Sequence, residues 1–147
     1  DNRLDKYQRL EIIKSIESFI KKINPEIIYT HHFGDLNIDH EIVFESVATA
    51  CRPYQNNNVK KIFSFEVLSS TEWQLNTNTK IFMPNYFVNI SKFIINKKEA
   101  MKCYQMELRD WPHPRSLKGI ESLAEYRGLQ SGFNYAEAFY SSRILVE

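Results

Sequence analysis

Glycine, cysteine and net charge are scarce in this chain of 147 residues, and each shortage excludes a class of protein. Four glycines and five prolines exclude collagen-like and low-complexity chains. Because 19 Lys and Arg face 18 Asp and Glu, the net charge is +1 and no basic excess favours nucleic acid. The longest apolar runs, such as 27–29 and 93–95, fall far short of the roughly 18 residues that a membrane-spanning helix needs.

The two cysteines, Cys51 and Cys103, do not make a disulfide framework. Each lies in a segment that predicts a helix, and neither has a partner at CxxC spacing. We therefore expect two buried, reduced side chains, with a single disulfide as the alternative. The first apolar segment carries Lys and Glu throughout, unlike a secretory signal peptide. These features predict a cytoplasmic protein.

The chain does contain ordinary core material, and its length predicts a single domain over 1–147. Apolar residues at steps of three and four predict a helix over 7–23, with Asp5 as its N-cap and Asn24-Pro25 as its end. The β-branched and aromatic run 26–30 follows at once and predicts a buried strand. This order predicts an α/β, Rossmann-like fold whose mostly parallel sheet is flanked by helices.

The same reasoning divides the rest of the chain. A polar loop over 31–39 leads into a helix that starts at Asn37 or Asp39 and ends before Pro53. The remaining predictions are a strand over 61–68, a polar loop over 69–79, a strand–turn–strand over 81–90, a helix over 97–109, a helix over 117–126 stopped near Gly128, and a final strand over 135–146.

Three of the four histidines fall in one segment, His31-His32-Phe33-Gly34-Asp35-Leu36-Asn37-Ile38-Asp39-His40, between a predicted strand and a predicted helix. Loops at the carboxyl ends of parallel strands are where α/β proteins bind ligands. Imidazoles can hold a metal such as zinc, and a neighbouring carboxylate can orient them or accept a proton. The alternative is structural: Asp39 caps the helix, Asp35 forms a turn, and the histidines are polar surface residues.

The part of this segment from Gly34 to His40 resembles the third-ligand motif of the LmbE/PIG-L family of zinc-dependent N-acetyl-sugar deacetylases. Further segments resemble, in the same order, one bacterial branch of that family: 66–73, 82–91, 98–105, 112–116 and 135–139. The resemblance therefore covers nearly the whole chain, and the ordered set is more specific than the first motif alone.

The resemblance implies a mechanism and places residues in it. In the family, zinc is held by a His and an Asp of an N-terminal His-Pro-Asp-Asp-Glu-like motif and by a later His, which here is His40. The metal polarises the acetamide carbonyl and activates a water, and a carboxylate of the N-terminal motif is the general base. Asp39 matches the Asp before the ligand and is expected to orient an imidazole. Asn37 is a further candidate catalytic residue and stands where many family members have a His. An asparagine can keep a polar orienting contact there, but it puts a proton-relay role of this position in doubt.

One part of the family pattern is missing from these residues. No His-Pro-Asp-Asp-Glu segment occurs, His113-Pro114 is followed by Arg115, and the chain begins at Asp1 without a Met. In the family that segment belongs to a first strand, its loop and the next helix. We therefore expect the C-terminal part of a deacetylase, with a sheet incomplete at its N-terminal side and no activity alone. A homo-oligomer or the N-terminal segment is the partner expected to complete it.

Five residues are candidates for substrate binding: Asp35, Ser70, Trp73, His113 and Arg115. Ser70 and Trp73 follow a predicted strand, and a hydroxyl and an indole suit the edges and face of a sugar, although an ordinary polar loop is the alternative. His113 and Arg115 lie in a proline-rich loop, where the guanidinium could bind a phosphate or carboxylate of a carrier-linked sugar. The alternative is an ion pair of Arg115 with Glu107, Asp110 or Glu137.

The resemblance implies hydrolytic removal of an N-acetyl group from an amino sugar or glycoconjugate, as in bacterial polysaccharide biosynthesis, with Zn²⁺ as the cofactor. The competing function is a non-catalytic sugar-binding or interaction module with the same fold. From composition alone, an α/β domain of undefined role is a third interpretation. None of the three involves nucleic acid or a membrane span.

Overall fold

The computed structural model describes residues 3–54, 57–75 and 78–146. Two 3-10 helices, Leu4–Lys6 and Thr71–Trp73, accompany the longer elements. Those elements are α1 (Arg9–Ile23), β1 (Ile27–His31), α2 (Ile38–Ala50), β2 (Lys61–Phe65), β3 (Tyr86–Asn89), α3 (Ile94–Lys102), α4 (Leu117–Ser131) and β4 (Ala136–Ile144). The α/β class predicted from the sequence is confirmed.

The four strands form a mixed sheet in the order β1-β2-β4-β3. β1 and β2 are parallel, in a register that pairs Ile27 with Lys61 and His31 with Phe65. β3 and β4 are antiparallel. A mostly parallel sheet was predicted, and the β1–β2 pair is parallel. The antiparallel β3–β4 pair makes the sheet mixed, because the apolar pattern of a strand does not encode the direction of its neighbour.

The chain divides into two compact units, and β4 contributes residues to both. The first unit contains the residues up to Met83 and those from Tyr140 onward, and the second runs from Pro84 to Phe139. In the first unit α1 packs on α2, and the core consists of Ile13, Ile20, Val47, Ala50, Cys51, Val59 and Ile62. In the second unit α3 packs on α4 around Ile90, Ile94 and Ala124.

The start of α1 differs from the predicted one, while its end agrees. Asp5 lies in the 3-10 helix Leu4–Lys6, and the N-cap of α1 is Gln8. The extended backbone of Tyr7, with φ −96° and ψ 148°, separates the two helices, so Asp5 is too early to cap α1. Asn24 ends α1 in the left-handed conformation, with φ 52°, directly before a proline.

Two segments in the middle of the chain carry less regular structure than predicted. The strand–turn–strand over 81–90 is one strand, β3, which begins after the Pro84-Asn85 pair. The helix predicted over 97–109 is α3, which starts earlier and ends at Lys102. Beyond it the chain forms isolated turns, in which the Glu107 and Leu108 backbone N–H groups both donate to the Tyr104 carbonyl, and the Arg109 guanidinium donates to two further main-chain carbonyls.

The helix predicted over 117–126 is longer than expected and does not stop at Gly128. A Cβ at Gly128 would lie 2.5 Å from the Phe133 carbonyl oxygen, so this glycine lets the chain that follows α4 pack closely on the helix. The end is Gly132, with φ 75°. The cysteines also differ from expectation: both are free thiols, Cys51 is buried as predicted, and Cys103 is exposed.

The described ranges of the chain contain no helix that combines the length and the apolar character needed to cross a bilayer.

Candidate functional site

The loops that follow β1 and β2 meet at one edge of the sheet, because the two strands are parallel and end in register at His31 and Phe65. Asp35 of the first loop joins it to the second. The Thr71 hydroxyl donates to Asp35 Oδ2 at 2.6 Å, and the Ser70 hydroxyl donates to Oδ1. Polar groups from two loops therefore converge at the edge where α/β proteins bind ligands.

Asp35 is fully buried, with 0% of its surface exposed. The Asn37 backbone N–H adds a third hydrogen bond to it, to Oδ1 at 2.9 Å. Burial alone raises the pKa of Asp35, but the hydrogen bonds from Ser70, Thr71 and Asn37, helped by His40, outweigh it and hold the pKa below its ordinary value. The hydrogen bonds therefore favour the ionised carboxylate, which joins the two loops. Its predicted contact with substrate stays a prediction.

His40 lies between this carboxylate and a second imidazole. Its Nδ1 is 3.1 Å from Asp35 Oδ1, a charge contact whose direction falls outside hydrogen-bond geometry. Its ring stacks on His31, with centroids 4.0 Å apart and planes 15° from parallel. The His40 side chain is 18% exposed, so the ring is held by the protein and still reaches the surface.

The other two histidines of the segment, half-buried His31 and buried His32, have lowered pKa values. Burial, reinforced by His40 and opposed by Asp35, lowers the pKa of His31 to about 4, so its ring is neutral at pH 7. His32 is 1% exposed, and its Nε2 donates to the Lys80 carbonyl at 3.1 Å; burial lowers the pKa of His32 as well. None of the three histidines is fully exposed, since His32 is buried and His31 and His40 are half-buried.

Asn37 and Asp39 have distinct structural partners. Asn37 is the N-cap of α2, and its side chain accepts from the Asp39 backbone N–H at 2.9 Å. The two carboxylate oxygens of Asp39 accept from the backbone N–H groups of Arg3 and Leu4, each at 2.9 Å. Asn37, not Asp39, therefore caps the helix, and Asp39 fastens the N-terminal residues to it. The catalytic role of Asn37 and the imidazole-orienting role of Asp39 stay predictions.

Lys80 belongs to this neighbourhood, and no motif in the sequence indicated it. Its main chain packs on Gly34, where a Cβ would lie 2.4 Å from the Lys80 carbonyl oxygen. Its ammonium group forms an ion pair with Glu41, which follows His40. The pair lies on an open cavity of about 490 Å³ lined by Phe33, Glu41, Phe44, Glu45, Lys80, Tyr140 and Ser142.

The remaining candidate residues are divided between the two units. Ser70 is buried against Asp35, while Trp73 is 47% exposed at the end of the 3-10 helix Thr71–Trp73. His113 and Arg115 belong to the second unit, where the Arg115 backbone N–H donates to His113 Nδ1 at 3.1 Å. Arg115 forms an ion pair with Glu107, which confirms the structural alternative for its guanidinium. Contacts of these residues with a sugar stay predictions.

Thr71 is a functional candidate that lies in segment 66–73 but was not among the five predicted substrate-binding residues. Its hydroxyl donates to Asp35 and accepts from the Val67 backbone N–H at 2.7 Å, so it fixes both the carboxylate and its own loop. The available signal was its position beside Ser70, directly after a predicted strand.

The described residues include a side chain suited to be one ligand of a metal ion, but they do not form a complete set of ligands. A ligating His commonly donates one ring N–H to a carboxylate, which leaves the other nitrogen for the metal. The Asp35 carboxylate lies 3.1 Å from His40 Nδ1, close enough for this role although the contact is not aligned as a hydrogen bond. Over the same described ranges, no group of three or more His, Cys, Asp or Glu is placed to hold a metal ion. His40 is therefore suited to be a single ligand in a set that needs others.

Two solved structures share the fold of this chain. The conserved protein TT1542 from Thermus thermophilus matches with a TM-score of 0.71 and 18% identity, over 93% of this chain and 60% of that one. N,N'-diacetylchitobiose deacetylase from Pyrococcus horikoshii, complexed with its inhibitor MPG, matches with a TM-score of 0.68 and 19% identity, over 93% of this chain and 52% of that one. No protein-family model and no curated protein matches the chain. The likeness shows that nearly all of this chain shares its fold with part of each of these two longer proteins.

Proposed function

We propose that this chain is the C-terminal part of a zinc-dependent deacetylase acting on an N-acetylated sugar or glycoconjugate, with His40 as one zinc ligand. The observation that carries the proposal is the placement of His40 against a buried carboxylate at the ligand-binding edge of a sheet whose fold is similar to that of a deacetylase. The chain spans 60% and 52% of the two similar structures, so the other ligands are proposed to come from a segment outside these residues.

The residues of this chain have separate tasks in the proposal. Asp35 places negative charge beside Nδ1 of His40 and leaves the nitrogen that faces away for the metal. Ser70 and Thr71 keep that carboxylate in place and ionised. Trp73 follows these two residues in sequence and is partly exposed, so its indole can offer an apolar face to a sugar ring. When bound, zinc would supply Lewis acidity toward the amide carbonyl.

Zinc binding is tested first, by titration calorimetry of the purified chain. We expect weak binding, because one ligand is contributed by the described residues. His40→Ala should lower the zinc affinity about tenfold or more, the range seen when a metal site loses a supporting group. His113→Ala, in the second unit, is the matched control and should bind as the parent does. An unchanged affinity in His40→Ala would contradict the ligand assignment.

Activity is tested with a panel of N-acetyl sugars in the presence of zinc. We expect no deacetylation by the 147 residues alone, and zinc-dependent deacetylation when the sequence encoded before Asp1 is added and contains a His-Pro-Asp-Asp-Glu-like motif. Zinc-dependent turnover by the short chain would show that the inactivity prediction is wrong. Absence of turnover in the extended chain would sink the deacetylase proposal.

The second candidate, a non-catalytic sugar-binding module, is favoured by the lack of a complete ligand group within the described residues. It predicts that an N-acetylated sugar quenches or shifts Trp73 fluorescence equally with and without EDTA. The deacetylase proposal predicts a response that needs zinc. Measurement in a Trp111→Phe background assigns the signal to the first unit.

A further inference from the structure

We propose that His31 is a positioning residue for His40, and that its ring holds the plane of the His40 imidazole so that Nδ1 faces Asp35. The role of His40 as a zinc ligand rests on the proposed function. The positioning itself rests only on the geometry of the first unit and is tested without metal.

The two rings form a close and nearly parallel stack. Their centroids are 4.0 Å apart and their planes differ by 15°, so one face of His40 is covered by the face of His31. His31 is in turn supported from the sheet, since its ring centroid is 4.9 Å from that of Phe65. His31 and Phe65 are also register partners at the ends of β1 and β2. The support under His40 is therefore tied to the parallel strand pair.

Asp35 alone does not fix the His40 ring. The χ2 torsion of a histidine joins an sp³ to an sp² carbon, and its energy profile is broad, so the ring turns easily unless its faces are packed. Asp35 approaches a single atom, Nδ1, at 3.1 Å and outside hydrogen-bond alignment. A flat ring against the face of His40 restrains the rotation that a contact to one atom leaves open.

The stack requires a flat face at position 31 and does not require an imidazole. His31 Nδ1 is buried and has no hydrogen-bond partner in the structure, so a hydrogen bond from this nitrogen does not explain the arrangement. This separates the proposal from a role for His31 as a hydrogen-bonding or charged group. Phenylalanine should replace His31 in the stack, whereas leucine has similar volume and no flat face.

The test reads the tautomer of His40 by nitrogen NMR on the full chain, labelled with ¹⁵N, free of metal and at pH 8. In the parent we expect one tautomer, with the proton on Nδ1, because the negative charge of Asp35 lies 3.1 Å from this nitrogen. In His31→Leu the two His40 nitrogen shifts should move toward their common average, as expected for exchange between tautomers. In His31→Phe both shifts should stay at the parent values. His113→Ala should leave them unchanged.

Two outcomes would overturn the proposal. One is a His31→Leu chain with parent nitrogen shifts, and the other is a His31→Phe chain that behaves like the leucine variant. Both variants keep a large apolar side chain in place, and the backbone amide spectrum verifies that each is folded. His31→Ala, which leaves a gap, is therefore not needed for the decision.

Zinc then separates this proposal from the proposed function. If His40 is a ligand, His31→Leu should bind zinc about tenfold more weakly than the parent, in the range expected for loss of an outer contact, and His31→Phe should bind as the parent does. If the parent does not bind zinc through His40, the proposed function fails, while the metal-free tautomer measurement still decides the role of His31.

Discussion

Replacement of Asp35 should destabilise the first unit more than any other carboxylate change there, because its side chain is an acceptor for several buried donors. Asp35→Ala removes the acceptor for the Ser70 and Thr71 hydroxyls and the Asn37 N–H, and the charge beside His40. Each buried donor left unpaired costs about 1–3 kcal/mol. Because the hydroxyls can rotate, we expect about 3–5 kcal/mol in total, the usual cost of breaking a buried charged pair.

The matched variant Asp35→Asn preserves the shape and one carbonyl acceptor, and a serine or threonine hydroxyl can accept from the new amide. We therefore expect a loss of about 1–3 kcal/mol, mainly from the missing charge. Asp5→Ala is the control, since Asp5 is an exposed carboxylate of the same unit and its loss should change stability by less than about 0.5 kcal/mol.

Urea unfolding followed by Trp73 fluorescence, in a Trp111→Phe background, measures these differences in the first unit. With a slope of about 2 kcal/mol per molar urea, Asp35→Ala should lower the midpoint by about 2 M without changing the slope. A midpoint for Asp35→Ala within about 0.5 M of the parent would refute the argument that this carboxylate holds the two loops together.

The same measurement has a defined pH dependence. The pKa of Asp35 is lowered from its ordinary value of 3.8 on folding, so the folded state binds fewer protons there than the unfolded state. The Asp35 contribution is therefore present in full above that ordinary value and is lost as the pH falls through the folded pKa. The stability gap between parent and Asp35→Asn should be constant near neutral pH and should shrink in acid.

Two further predictions concern the two free cysteines and the hydrogen bond between Asp39 and the Leu4 amide. At pH 8 iodoacetamide should modify the exposed Cys103 quickly and Cys51 only in urea. The reason is that Cys51 is 1% exposed and burial raises its pKa to about 11. Rapid loss of both thiols in the native chain would contradict the described core. Asp39→Ala should speed hydrogen exchange at the Leu4 amide about fivefold, equivalent to the loss of one net hydrogen bond of about 1 kcal/mol. Asp39→Asn should have a smaller effect. Equal protection of this amide in the parent and both variants would show that the carboxylate does not hold it.

Local features of the candidate site could be predicted from the sequence because they depend on neighbouring residues. The strand that ends at His31 is a β-branched and aromatic run, and the start of α2 is marked by an asparagine with the side-chain oxygen needed for an N-cap. These two features place the histidine segment on a loop between a strand and a helix. The α/β class follows from the same local order.

The contacts that define the site could not be predicted, because they join residues far apart in sequence. Asp35 meets Ser70 and Thr71 across 35 and 36 positions, and this depends on β1 and β2 being adjacent, parallel and in one register. The main chain of Lys80 reaches Gly34 and His32 from a segment without a regular element of its own. No periodicity or motif encodes such pairings.

The geometry at His40 separates stability from ligand orientation, and the two can be perturbed independently. Asp35 contributes to both, because it satisfies donors from two loops and also places charge at the imidazole. His31 contributes to orientation through its ring face, and a leucine there would still fill the space. Asp35→Ala should therefore reduce both the urea midpoint and the zinc affinity, whereas His31→Leu should alter the His40 tautomer with a much smaller change in the midpoint. If both variants lost stability and orientation together, the stack and the carboxylate would form one inseparable packing unit, and the role assigned to the ring face would have no independent support.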